Sequence, residues 1–149
     1  MDFSTLQLKE ILVPVDGSQA GFEALSLACL LAKRNKGNVY AVHVLEVART
    51  LPLDADMSPE AKHGEEILER AEQIGESMDT EVTGELLQAR DAAHAIVDEA
   101  IEHGVDAILL GMEPSPDPEY EIGETAQYVL THAPCQVIVR RAAAGAVAK

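Results

Sequence analysis

The sequence predicts a doubly wound α/β domain, a five-stranded parallel sheet with helices on both faces. Three observations predict it. The chain has 149 residues, enough for one core that buries about two-thirds of the unfolded surface. Short apolar runs alternate with segments of helical periodicity in the order β-α-β-α-β-α-β-α-β. The central runs are nearly continuous in apolar residues, as strands covered on both faces must be. The domain spans 1–149, with a core over about 8–141 and an Ala-rich tail, 142–149, expected to fray.

Ile11-Leu12-Val13-Pro14-Val15 reads as a buried strand, and Asp16-Gly17-Ser18 as a turn leading into a helix cap. From Gln19 to about Arg34, Phe22, Leu25, Leu27, Ala28, Leu31 and Ala32 recur at helical spacing, and Lys36-Gly37 ends the helix. Asn38 to Leu45 is the second strand. A loop follows until Ser58-Pro59-Glu60, where Pro sits at a first helical position. Ile67, Leu68, Ala71, Ile74 and Met78 give that helix one apolar stripe. Glu81 to Leu87 alternates and reads as an outer strand. Asp91 caps a helix with Ala93, Ile96, Val97, Ala100 and Ile101 on its inner face, ended by Gly104. Val105 to Leu110 is another buried strand, ending at Gly111. Met112 to Ile122 is a loop rich in Pro and acids. Glu124 to His132 is a short helix with Ala126, Val129 and Leu130 on one face, and Gln136 to Val139 is the last strand.

Composition narrows the function. Eleven basic against 26 acidic residues give a net charge of −15, which repels phosphate backbones and anionic lipid heads, so no nucleic-acid partner is expected. A hydrophobic fraction of 47% excludes a disordered chain, while 3% aromatics and no Trp leave no platform for stacking bases. No stretch approaches 18 apolar residues, so no membrane insertion is expected, and Met1 to Lys9 does not read as a signal peptide. The expected location is cytoplasmic. Cys29 and Cys135 sit in apolar periodic segments and read as packed thiols. His43 lies within a strand, as a core or crevice residue. His63, His94, His103 and His132 show no i, i+4 histidine pair, so no metal site is expected. Ser18 sits outside any G-x-S-x-G elbow, and no catalytic residues are assigned.

Two segments carry a family resemblance. Ile11-Leu12-Val13-Pro14-Val15-Asp16-Gly17-Ser18, with Ala41-Val42-His43-Val44, resembles the opening of the universal stress protein family. Val129 to Val139, with His132-Ala133-Pro134-Cys135 at its centre, is similar to that family's final helix and strand. The resemblance implies a Rossmann-like sheet in the order 3-2-1-4-5, a homodimer, and in some members a nucleotide site. In such a sheet, ligands sit outside the carboxyl ends of the strands where the order reverses. That crevice lies between strands one and four, lined by Pro14, Asp16, Val44 and the segment from Gly111 and Met112 onward.

Members that bind ATP carry a loop of the form G-x2-G-x9-G followed by Ser or Thr, whose amides hold the phosphates. Gly111 matches its first glycine and Gly123 its last, at a spacing one residue short. Pro114 stands at the middle position and has no N–H to donate. Glu124 replaces the hydroxyl residue, though Thr125 follows. Glu113, Asp117, Glu119 and Glu121 would face a triphosphate, each like-charge pair at ~4 Å costing about 4 kcal/mol at an effective dielectric near 20. With Pro114, Pro116 and Pro118 stiffening it, the loop reads as a solvated acidic segment rather than a Ca2+ or Mg2+ site. Asp16 either approaches a nucleotide or its metal, or hydrogen-bonds the turn it begins, and the degraded loop favours the second.

The expected function is therefore a non-enzymatic, stress-related regulatory homodimer with weak or lost ATP binding, docking on a regulatory protein or a transporter. No cofactor is required. The alternative is a sensor that binds an adenine nucleotide (ATP, AMP or a cyclic nucleotide), with Mg2+ where phosphates need it. The dimer seam is expected at the edge strand, through Val137, Ile138 and Val139, and Ile138→Pro is expected to break it.

Overall fold

A computed structural model describes residues 2–3, 6–117 and 122–144. Its elements run β1 (Glu10–Pro14), α1 (Gln19–Arg34), β2 (Asn38–Glu46), α2 (Ser58–Ser77), β3 (Val82–Ala89), α3 (Ala92–His103), β4 (Ala107–Met112), α4 (Glu124–His132) and β5 (Gln136–Arg141). The five strands pair in parallel, in the order β3-β2-β1-β4-β5. Successive β-α-β crossovers put α1 and α2 on one face and α3 and α4 on the other, so each face carries its own apolar cluster.

Local chemistry sets where each element starts and stops. Gly17 takes φ +94°, a conformation that costs an L residue its Cβ clearance. The turn frees Ser18 to cap α1, its Oγ accepting from the Gly21 amide at 3.1 Å. Asp91 caps α3 by accepting from the His94 amide, and Gly104 ends it at φ +60°. Along α1, Ala20, Ala24, Ala28 and Ala32 are buried at i, i+4 spacing. These small side chains let the helix lie close on the sheet, and with so few aromatics the core fills with Ile, Leu and Val.

Several boundaries differ from the sequence reading. β4 runs through Gly111 and Met112, so both sit in strand rather than loop. β5 extends to Arg141, because its ladder with β4 continues and the Ala142 amide still donates to the Met112 carbonyl. Ala142, the first residue of the Ala-rich tail, is buried, and 145–149 lie outside the described residues. Ile101 and Leu130, assigned by period to inner faces, are 59% and 46% exposed, because the faces of α3 and α4 that meet the sheet are narrower than their apolar stripes.

The edge strand also differs in which amides are open. In parallel strands, alternate residues face alternate neighbours. The Gln136 amide donates to the Asp106 carbonyl just before β4 and the Ala142 amide to the Met112 carbonyl at its end, so the even-numbered residues of β5, Ile138 among them, face inward. The outward amides belong to Val137, Val139 and Arg141, and Ile138→Pro would cut the sheet itself.

Candidate functional site

The crevice follows from topology. After β1 the chain turns to α1 on one face, and after β4 it heads for α4 on the other, so the strand ends part. The gap is an open cleft of about 530 Å³. Pro14, Asp16, Val44, Gly111, Met112, Gly123 and Thr125 all line it. These seven candidates come from β1 and the turn after it, β2, β4, and the cap and first turn of α4, and folding brings them together.

Asp16 Oδ1 accepts from the Ser18 amide at 2.9 Å, so its carboxylate braces the turn at the cleft mouth. Burial pushes that carboxyl up, but hydrogen bonds from the Ser18 hydroxyl and the Ser18 amide, then its own amide and nearby His43, outweigh burial and hold it below the usual range. His43 Nδ1 donates to the Val15 carbonyl at 2.7 Å, and its ring lies against Gly64 of α2, where an added Cβ would meet Cδ2 at 2.7 Å. The sequence placed His43 at the core or crevice, and its polar ring is at the cleft wall.

The two glycines of the degenerate motif have different surroundings. A Cβ on Gly111 would lie 2.3 Å from the Ala20 carbonyl oxygen, so glycine there is demanded by the contact of β4 with α1. Among the described residues a Cβ on Gly123 would meet nothing within 4 Å, and its φ of −58° suits any residue. Gly123 precedes α4, whose N-terminus has no side-chain cap.

Two cleft residues escaped the sequence reading in their roles. Glu113 Oε1 accepts from the Ala20 amide at 3.2 Å, in the first turn of α1. Glu46 Oε2 accepts from the Ala92 amide at 3.0 Å, at the start of α3. Both carboxylates occupy amide positions that attract anions. Glu113 was legible as an acid in the loop but not as a partner of α1, 93 residues away. Among the described residues lining the cleft there is no Lys or Arg. Pro118, Glu119 and Glu121 of the acidic loop lie outside the described residues.

Cys29 is buried, and desolvation pushes its thiol up to about 11; burial likewise raises Cys135. Outside the cleft, Tyr128 stacks on His132 with ring centroids 4.0 Å apart and meets His94 in a tilted contact at 4.2 Å. Glu85, Glu99 and His103 cluster between β3 and α3, where the hydrogen bond with Glu85, then burial and the Glu85 charge, push Glu99 up to about 7.

Fold and cleft together define a doubly wound α/β protein with a ligand crevice at its topological switch point. The universal stress protein family model matches residues 7–141, and the chain belongs to that family. A universal stress protein from Methanocaldococcus jannaschii is 30% identical over 138 residues, covering 88% of this chain and 81% of the relative. The structure of a universal stress protein from Archaeoglobus fulgidus superposes with a TM-score of 0.73 at 26% identity, covering 92% of this chain and 96% of that one. An Archaeoglobus fulgidus universal stress protein in complex with dAMP shares the fold, at a TM-score of 0.72, 24% identity and coverage of 89% and 98%. Among the described residues, no helix is long and apolar enough to cross a membrane.

Proposed function

We propose that this chain is a non-enzymatic regulatory member of the universal stress family that works as a homodimer and binds ATP weakly. The observation that carries the reading is the occupation of the cleft's helix N-termini by the chain's own carboxylates, Glu113 on the Ala20 amide and Glu46 on the Ala92 amide. A triphosphate would have to displace them and sit among Asp16, Glu46 and Glu113 with no cationic side chain beside it in the described lining. The non-enzymatic part rests on committed groups. Ser18 Oγ caps α1 by accepting from the Gly21 amide, His43 holds the Val15 carbonyl through Nδ1, and no hydrogen bond among the described residues joins the two side chains as a nucleophile and its base. The homodimer rests on β5, a half-buried edge strand whose Val137 and Val139 amides face away from β4. A regulatory protein or transporter is the class of partner such a dimer would dock on, in the cytoplasm.

A second reading, a sensor of AMP or a cyclic nucleotide, draws on Gly123. Its open surroundings leave room for a ligand to approach the uncapped start of α4, and the Archaeoglobus relative holds dAMP.

Isothermal titration tests the first reading. MgATP binds with a Kd of about 100 μM or weaker, near −5.5 kcal/mol. In Glu113→Ala the Ala20 amide is freed and one repulsive charge is gone, so ATP affinity rises about tenfold, ~1.4 kcal/mol. Low-micromolar ATP binding by the unaltered chain overturns the proposal. Native mass spectrometry of freshly purified protein distinguishes the second reading, which requires a co-purified monophosphate or cyclic nucleotide.

A further inference from the structure

Glu99 and His103 stand one turn apart on α3, His103 contacts both Glu99 and Glu85 of β3, and the three side chains converge away from the cleft. His103 Nε2 lies 2.6 Å from Glu85 Oε1 and 3.2 Å from Glu99 Oε2, so two carboxylates converge on one ring nitrogen. One N–H cannot serve both well. The imidazole is held in place from its other side by Tyr40, stacked at 4.3 Å with an interplanar angle of 16°. The three side chains are only 16–26% exposed, sheltered from bulk water yet open to a small ion. One ligand atom from each lies within 4.8 Å of the others.

We propose that Glu85, Glu99 and His103 form a site for a first-row divalent transition metal, of the Zn2+ or Co2+ kind. The donor set decides the class. Mg2+ and Ca2+ take all-oxygen shells, whereas an imidazole nitrogen with two carboxylates suits a borderline ion. The geometry is close to what such an ion needs. Metal–ligand bonds of about 2.0–2.2 Å in a tetrahedron set neighbouring ligand atoms ~3.4 Å apart. The His103–Glu99 separation already approaches that figure, and the His103–Glu85 pair opens by under ~1 Å. Three protein ligands leave a fourth position for water. Two carboxylates against one imidazole supply the negative charge that a divalent cation neutralises. No histidine pair marks the cluster in the sequence; it is a Glu-x3-His turn whose third ligand comes from a strand.

The test uses the full chain, freed of metal with a chelator, titrated with Co2+ and separately with Zn2+. Co2+ produces ligand-field bands in the visible saturating at one ion per chain, and Zn2+ binds calorimetrically with low-micromolar affinity and bleaches them. His103→Ala and the shape-conserving Glu99→Gln and Glu85→Gln each weaken binding about 100-fold or more, since loss of a direct ligand exceeds the 10–100-fold cost of losing its supports. Far-ultraviolet circular dichroism confirms that the tested variants are folded, and the two Gln variants keep the test decisive if the Ala variant is not. Joint replacement of His94 and His132 by Ala leaves the spectrum unchanged. Absence of a saturable one-to-one signal, or binding that survives Glu99→Gln or Glu85→Gln, overturns the site and leaves the cluster as an ion-pair network.

Discussion

Gly111 and Gly123 show how residues at matching motif positions can be held by unrelated forces. Gly111 has no space for a methyl group, because a Cβ there would lie 2.3 Å from the Ala20 carbonyl oxygen and 2.9 Å from Ala24 Cβ. Gly111→Ala must push β4 from α1, and it lowers unfolding free energy in urea by about 2 kcal/mol or more. Gly123→Ala meets open space, leaves stability within ~0.5 kcal/mol and reports only on ligand binding. A Gly111→Ala variant as stable as the parent would mean that the contact relaxes freely. Asp16 gives a pH dependence of definite sign. Its folded carboxyl is held below the ordinary 3.8, so the stability it contributes is present above that value and lost as pH falls through the lower, folded one. Asp16→Ala therefore narrows its stability gap to the parent as the solution is acidified below about pH 3.8. A gap that stays constant with pH would show that the turn is braced by other groups.

At the scale of elements, β5 carries the consequence. The odd-numbered amides face away from β4, so a proline tolerated by the sheet but blocking an edge-to-edge seam belongs at an odd position. Val139→Pro removes an outward N–H while leaving the inward ladder of Gln136, Ile138, Arg140 and Ala142. Sedimentation equilibrium of this variant is expected to give a monomer with native circular dichroism. A folded Val139→Pro dimer would place the seam elsewhere. Ile138→Pro is no longer a clean test, since it cuts an internal bond. Arg140 adds a reason for the strand's length: its guanidinium reaches Glu23 of α1 at 2.6 Å, tying the end of β5 over the sheet face.

At the scale of the whole molecule, charge governs association. A chain of net −15 repels its own copy, and that repulsion is screened over about 8 Å at physiological salt. If β5 joins two such chains, raising salt from low ionic strength tightens the dimer, the opposite of what an interface of complementary charges would do. Dimer dissociation constants measured across a salt series decide it, and a dimer that weakens with salt would indicate an interface held by ion pairs.

The order of elements could be read from residues alone because the signals are local. Continuous apolar runs such as Ile11–Val13 and Ala107–Leu110, the period of α1, the caps Ser18 and Asp91, and the terminator Gly104 act within a few residues of themselves. So did the membership of the cleft. Once strand order was fixed by the resemblance of two segments, Pro14, Asp16, Val44, Gly111, Met112, Gly123 and Thr125 had to meet where it reverses. Only the tertiary structure decided what those residues touch. Glu113 could be seen as an acid, but its bond to Ala20 spans 93 positions. Glu46 on Ala92, Glu85 beside His103, and the inward amide of Ile138 likewise depend on which strand lies next to which element. Sequence periodicity fixes the face a residue shares with its own element. Its partner on another element is set by register and crossover, which distant parts of the chain determine jointly when they pack.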